Sequence, residues 1–196
     1  MKNKKYSGYI IAAVLVLLGI FAVTTYNKLV VKDEKVKLQW NQLQSAYQRR
    51  VDLIPNLVNV VKCQTDFEKT TLEQIAAARA KASAITYSAN EPTTDKVTQS
   101  NQAQNELAAA TNNFIAVIEK YPNLTGTEAF KGLQTQLEGT ERRIKFSRKD
   151  FNDAVADYNG SVRSFPVNLV AGMFGFKAKE GFQADAGADK AVEIKF

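Results

Sequence analysis

The pattern of apolar and polar positions divides the chain into one unbroken apolar run and several long stripes. Residues 8–26, Gly-Tyr-Ile-Ile-Ala-Ala-Val-Leu-Val-Leu-Leu-Gly-Ile-Phe-Ala-Val-Thr-Thr-Tyr, carry no charge. As a helix they rise about 28 Å, enough to cross the hydrocarbon core of a bilayer. Tyr9 and Tyr26 stand near the two ends, where aromatic belts form. No Ala-x-Ala cleavage site follows, so the run is expected to be an uncleaved anchor rather than a signal peptide.

Beyond the anchor the period becomes helical. Val36, Trp40, Leu43, Tyr47, Val51 and Ile54 recur every three or four residues and mark one helix face. Pro55 is expected to break this helix or to open a new one at its first position, with Asp52 near the new N-terminus. A second helix is predicted over about 56–87, a loop over 88–94, and a third helix carrying Leu107, Thr111, Phe114, Ile118 and Tyr121, stopped by Pro122. Thr93 or Thr94 is placed to cap the third helix, and Thr125-Gly126-Thr127-Glu128 fits a capping box. The most regular stripe follows, through Phe130, Leu133, Leu137, Thr140, Ile144, Ser147, Phe151, Val155, Tyr158, Val162 and Phe165, and Pro166 ends it. Two successive steps of four at Ser147–Phe151–Val155 resemble a coiled-coil stutter.

These elements predict an all-α protein: an N-terminal transmembrane helix, then an antiparallel bundle of three to four long helices, then a flexible tail. The expected divisions are a basic tail over 1–7, the anchor over 8–26, the bundle over 27–176 and a C-terminal tail over 177–196. The last six residues alternate like a strand, but an isolated strand is not stable, so the tail needs a surface to dock on or is disordered.

Composition narrows the function more than any motif does. The chain has no histidine and one cysteine, Cys63. That excludes histidine triads, cysteine–histidine dyads, intrachain disulfides and cysteine metal clusters, and no cofactor or metal site is expected. The net charge of +6 is partly contributed by Lys2, Lys4 and Lys5, and the remainder is mixed with acids, so nucleic-acid binding is not expected. The three N-terminal lysines favour a cytoplasmic N-terminus and an extracytoplasmic domain, although Lys28, Lys32, Lys35 and Lys37 follow the span.

Four places hold candidate chemistry. Arg49-Arg50-x-Asp52 is an anion or headgroup site or, more simply, an ion-pair cluster steering the chain around Pro55; as helix it lies about 35 Å beyond Tyr26. Glu68 falls on the stripe of the second helix, where an unpaired buried carboxylate would be costly: it serves a ligand, or it pairs with an arginine such as Arg79 or Arg143, or it is simply exposed where the bundle is loose. Arg142, Lys145 and Lys149 are a patch for anionic lipid or nucleic acid or, more simply, a solvated helix face. Tyr158-Asn159 and Phe165-Pro166 close a bundle end or flank a partner groove.

Taken together, Tyr26-Asn27-x-Leu29-Val30, Trp40 and Arg49-Arg50-x-Asp52-Leu53-Ile54-Pro55-Asn56-Leu57-Val58 resemble the LemA family of bacterial membrane proteins. Later blocks agree: Ala78-Arg79, Glu119-Lys120-Tyr121-Pro122-x-Leu124, Phe130-x-x-Leu133, Leu137-Glu138-Gly139-Thr140-Glu141, Tyr158-Asn159, Phe165-Pro166 and Gly175-Phe176. Members often carry His-Glu in the second helix where this chain has Phe67-Glu68, so only a role for the glutamate carries over. The resemblance implies a single-pass protein of the bacterial cytoplasmic membrane, with a helical bundle and no established enzymatic activity. Some relatives are linked to membrane organisation and others are found alongside membrane proteases. The expected function is a membrane-tethered scaffold or adaptor with an unidentified protein partner, a homo-oligomer remaining open. The alternative is a carboxylate-based hydrolase or envelope-polymer binder built on Glu68 and neighbouring acids.

Overall fold

The computed structural model describes residues 3–62, 68–88 and 91–182. Cys63 and the strand-like last six residues therefore lie outside the described residues. Among the described residues six helices follow one another: α1 (Asn3–Val61), α2 (Lys69–Ser88), α3 (Thr94–Ile118), α4 (Pro122–Thr125), α5 (Glu128–Arg163) and α6 (Val167–Met173). No strand occurs among the described residues.

Helix α1 contains both the anchor and the first bundle helix in 59 continuous residues, a rod of roughly 88 Å. Its N-terminal part, including Tyr9, Leu15, Leu17 and Val23, exposes its apolar side chains, and it is the one helix among the described residues long and apolar enough to cross a membrane. Its C-terminal half packs antiparallel on α5, while α2 packs on α3. The stripe Val36, Trp40, Leu43, Tyr47, Val51 and Ile54 is fully buried, as the helical period requires. Two apolar clusters result. The lower one gathers around Trp40, Tyr47, Phe151 and Tyr158, nearer the anchor. The upper one gathers around Ile54, Leu57, Ile75, Leu107, Phe114 and Phe130.

Three expectations are corrected. Pro55 lies inside α1 and ends nothing; the helix continues to Val61 and the next begins at Lys69, so the predicted helix over 56–87 is instead the end of α1 and all of α2. The reason is local. Proline has no N–H for the carbonyl four residues back, which here belongs to buried Val51, and the Arg79 Nε donates to that carbonyl at 3.1 Å. The vacated acceptor is thereby filled from α2. The cap of α5 is Thr127, whose hydroxyl accepts from the Phe130 amide at 3.2 Å; Thr125 closes α4 and donates to the Pro122 carbonyl. Tyr121 and Pro122 do not stop α3, which ends at Ile118; Pro122 occupies the first turn of α4 with Tyr121 at its N-cap. Thr93 caps α3 as expected.

Arg79→Met should therefore cost about 1–3 kcal/mol by orphaning a buried carbonyl. In a Pro55→Ala background the alanine N–H satisfies Val51, and the same substitution should cost less than half as much. Urea unfolding of the four proteins of this double-mutant cycle checks it; equal costs in both backgrounds would contradict the capping role.

Candidate functional site

The two apolar clusters are separated by one polar layer. Arg50 is 3 % exposed, one turn above Tyr47 of the lower cluster and one turn below Ile54 of the upper. A buried guanidinium is tolerable only when its donors are occupied. Here they are. Nε and Nη2 grip both oxygens of Glu141 on α5, the Nε bond measuring 2.7 Å. Nη1 donates to the Gln104 carbonyl at 3.0 Å and to its Oε1 at 3.1 Å. The Gln104 amide then donates to the Thr86 hydroxyl at 3.3 Å, so α1, α5, α3 and α2 meet in a single network. The planar fork of arginine suits this two-pronged carboxylate grip, which lysine cannot reproduce.

The neighbouring candidates face outward. Arg49, Asp52 and Asn56 are exposed and, with Gln136 and Arg143 of α5, line an open polar groove of about 810 Å³. Asp52 accepts from the Gln48 amide at 2.8 Å. Glu68 is not a buried acid. It is exposed at the start of α2, where the Thr71 hydroxyl donates to it at 3.1 Å. Neither proposed arginine serves it: Arg79 caps Val51 and Arg143 lines the groove. The stripe reading failed because the 56–87 helix it assumed is interrupted between α1 and α2. Arg142, Lys145 and Lys149 are exposed, in agreement with a solvated face. Phe165 does not close the bundle end but is 80 % exposed, and its bond to Pro166 is cis. Tyr121 is half-buried against the upper cluster. No group of three acids or cysteines among the described residues could hold a metal.

Sequence reasoning left open whether and where the tail docks, and the structure shows where it starts to do so. Residues 177–182 run antiparallel to α5, back up the bundle. The Asn159 side chain donates to the Lys179 carbonyl at 2.7 Å and accepts from its amide at 2.8 Å. Asn152 does the same for Phe182, at 3.1 and 2.8 Å. Seven helical residues rise about 10.5 Å, and three near-extended residues span about 10 Å, so the two clamps match the strap in register. Phe182 stacks on Trp40 at 6.2 Å and meets Phe151 edge-on at 5.6 Å, with the Arg148 guanidinium 5.2 Å from its ring. Lys179 pairs with Asp33 at 2.9 Å and lies over the buried Tyr158 ring. Gly181 is fitted closely: a Cβ there would lie 2.7 Å from Asn152 Oδ1. Tyr158-Asn159 was the one signal present in the sequence, a candidate pair whose partner could not be named.

Several ionisations follow from this packing. Burial raises the Tyr47 phenol, against the opposing charge and hydrogen bond of Arg148. Burial and then the Asp33 charge raise Tyr158. Burial alone would raise Asp33, but hydrogen bonds and charges from Lys179 and Lys37 outweigh it and hold the carboxyl below its ordinary 3.8.

The layer and the strap yield three predictions. Glu141→Leu leaves a buried cation with neutral acceptors and should cost about 3–5 kcal/mol; Arg50→Met frees a half-exposed carboxylate to rehydrate and should cost only about 1–2 kcal/mol. Thermal melts that reverse this order would contradict the account. For the strap, Asn152→Ala, Asn159→Ala or Gly181→Ala should speed limited proteolysis within 177–182 while leaving the melting temperature of the bundle nearly unchanged. Asp33 is depressed, so its contribution is complete above pH 3.8 and lost as pH falls through its folded value; the strap should loosen only in that acid window.

The LemA family model matches residues 39–196. Magnetosome protein MamQ of Magnetospirillum gryphiswaldense is 25% identical over 201 residues, covering 92% of this chain and 74% of that protein. Magnetosome proteins MamQ 1 and MamQ 2 of Paramagnetospirillum magneticum are each 34% identical over 83 residues, 42% of this chain. That stretch spans only 30% of the length of either relative. The family match includes Trp40, Arg50, Pro55, Arg79, Glu141 and both strap asparagines, and the chain belongs to the LemA family.

Proposed function

We propose that the protein is a membrane-tethered, non-enzymatic scaffold of the bacterial envelope that presents the groove at Arg49, Asp52 and Asn56 to a protein partner. The observation that supports this most is the continuity of α1 from the apolar span into the bundle. Arg49 lies 23 residues beyond Tyr26 on the same helix, so the groove stands about 35 Å along a stiff rod from the membrane. A fixed stand-off suits the positioning of a partner. Within Arg49-Arg50-x-Asp52 the labour is divided: Arg50 is consumed by the layer, while its neighbours are exposed. Relatives named as magnetosome proteins fit a role in organising membrane. The hydrolase or polymer-binder reading finds no support in Glu68, which is exposed. The N-terminal lysines favour an extracytoplasmic domain.

In spheroplasts, a membrane-impermeant thiol crosslinker should react with Asn56→Cys on a Cys63→Ser background and yield discrete protein adducts. Lys145→Cys, on the solvated face, should react equally and yield none. Identical adduct patterns at the two positions would remove the groove as the docking face, and no reaction at either would reverse the orientation.

A further inference from the structure

We propose that α6 with its flanking phenylalanines is a second membrane contact, a foot that rests in the lipid interface beside the span. The proposal rests on the reading of residues 8–26 as membrane-spanning. Because α5 runs antiparallel to α1, its last turns lie at the foot of the bundle: Asp157 pairs with Lys32 at 2.7 Å, six residues before Arg163. The strap leaves in the opposite sense, with Lys179 at the height of Asp33 and Phe182 at Trp40. Helix α6 lies between these two, at the turning point. There Phe174 and Phe176 meet Tyr26, the last residue of the apolar run, edge-on at 5.0 and 5.6 Å.

The turn is built by a Schellman motif. The Phe176 amide reaches back to the Ala171 carbonyl at 2.9 Å and the Gly175 amide to Gly172 at 3.4 Å, with Gly175 at φ 77°. Val170 and Ala171 are buried and fasten the helix to the bundle. Its other side is open: Phe165 is 80 %, Leu169 60 %, Met173 79 % and Phe174 52 % exposed. Four large apolar side chains gathered at one end of a bundle are costly in water. Here they adjoin a span whose own apolar side chains are exposed, so one lipid phase covers both. Lys28, Arg163 and Lys177, all exposed and in no ion pair among the described residues, belong to the same end and suit anionic headgroups. Aromatic and aliphatic side chains rimmed by cations are the composition of an interfacial helix. A single span can rotate about its axis; a foot to one side of it sets which face of the bundle looks along the membrane.

The test uses the full chain in vesicles of phosphatidylcholine and phosphatidylglycerol, with an NBD fluorophore on single cysteines in a Cys63→Ser background. Probes replace Leu17 in the span, Met173 in the foot and Phe146 on the exposed flank of α5. Doxyl-labelled lipids should quench most of the emission at 17 and 173 and little at 146, while aqueous iodide should show the reverse order. Iodide quenching at 173 equal to that at 146, with 17 still lipid-quenched, would overturn the foot alone. Protection at 173 from both quenchers would overturn it in favour of a second protein copy. Loss of lipid quenching at 17 would overturn the span and the foot together. Because Leu169 and Met173 are exposed, Leu169→Asp/Met173→Asp should preserve the melting temperature yet abolish lipid quenching of a probe at 165.

Discussion

Everything in this protein hangs on one helix that does not stop. Helix α1 carries the apolar span and the principal packing face of the bundle as a single rod, and it does so across a proline. The Arg79–Val51 hydrogen bond makes that possible by occupying the acceptor that Pro55 cannot reach. One residue before that proline-facing carbonyl, Arg50 then ties the rod to α5 and α3 in the buried layer. Both arginines act on the same short segment, one from α2 and one from within α1. The segment is a joint only in sequence; in the fold it is braced on two sides.

The polar layer has a second consequence. Two apolar clusters alone would tolerate sliding of α5 along α1, because a three-four stripe repeats. A two-pronged grip between Arg50 and Glu141 fits one register, and a register shift would strand a buried guanidinium. Farther down, Lys32–Asp157 and the Arg148–Tyr47 hydrogen bond at 2.9 Å repeat the antiparallel registration at other heights. The strap adds a third tie on α5, made through backbone amides rather than charges.

What the sequence disclosed was whatever depends on periodicity. The buried stripe of α1, the long α5 and the apolar span all follow from spacing, and the Trp40, Arg50 and Pro55 block carried the family. What it concealed depended on a distant partner. Pro55 reads as a break unless Arg79, 24 residues on, is known to fill the gap. Glu68 reads as buried only if the second helix begins at residue 56. Phe165 continues the stripe of α5 in register, yet the helix ends at Arg163 and the side chain is left outside. The strap was least legible, since Asn152 and Asn159 recognise backbone, which leaves no pattern in the side chains of 177–182.

The central claim is that span and bundle form one stiff unit. Spin labels at Leu17→Cys in the span and Asn59→Cys near the far end of α1, both exposed positions, in the Cys63→Ser chain reconstituted in nanodiscs, measure it directly by double electron–electron resonance. A continuous helix places the two backbones about 63 Å apart, so a single narrow distance distribution near that value is predicted. A broad distribution, or one centred well below it, would show a joint between span and bundle and contradict the account.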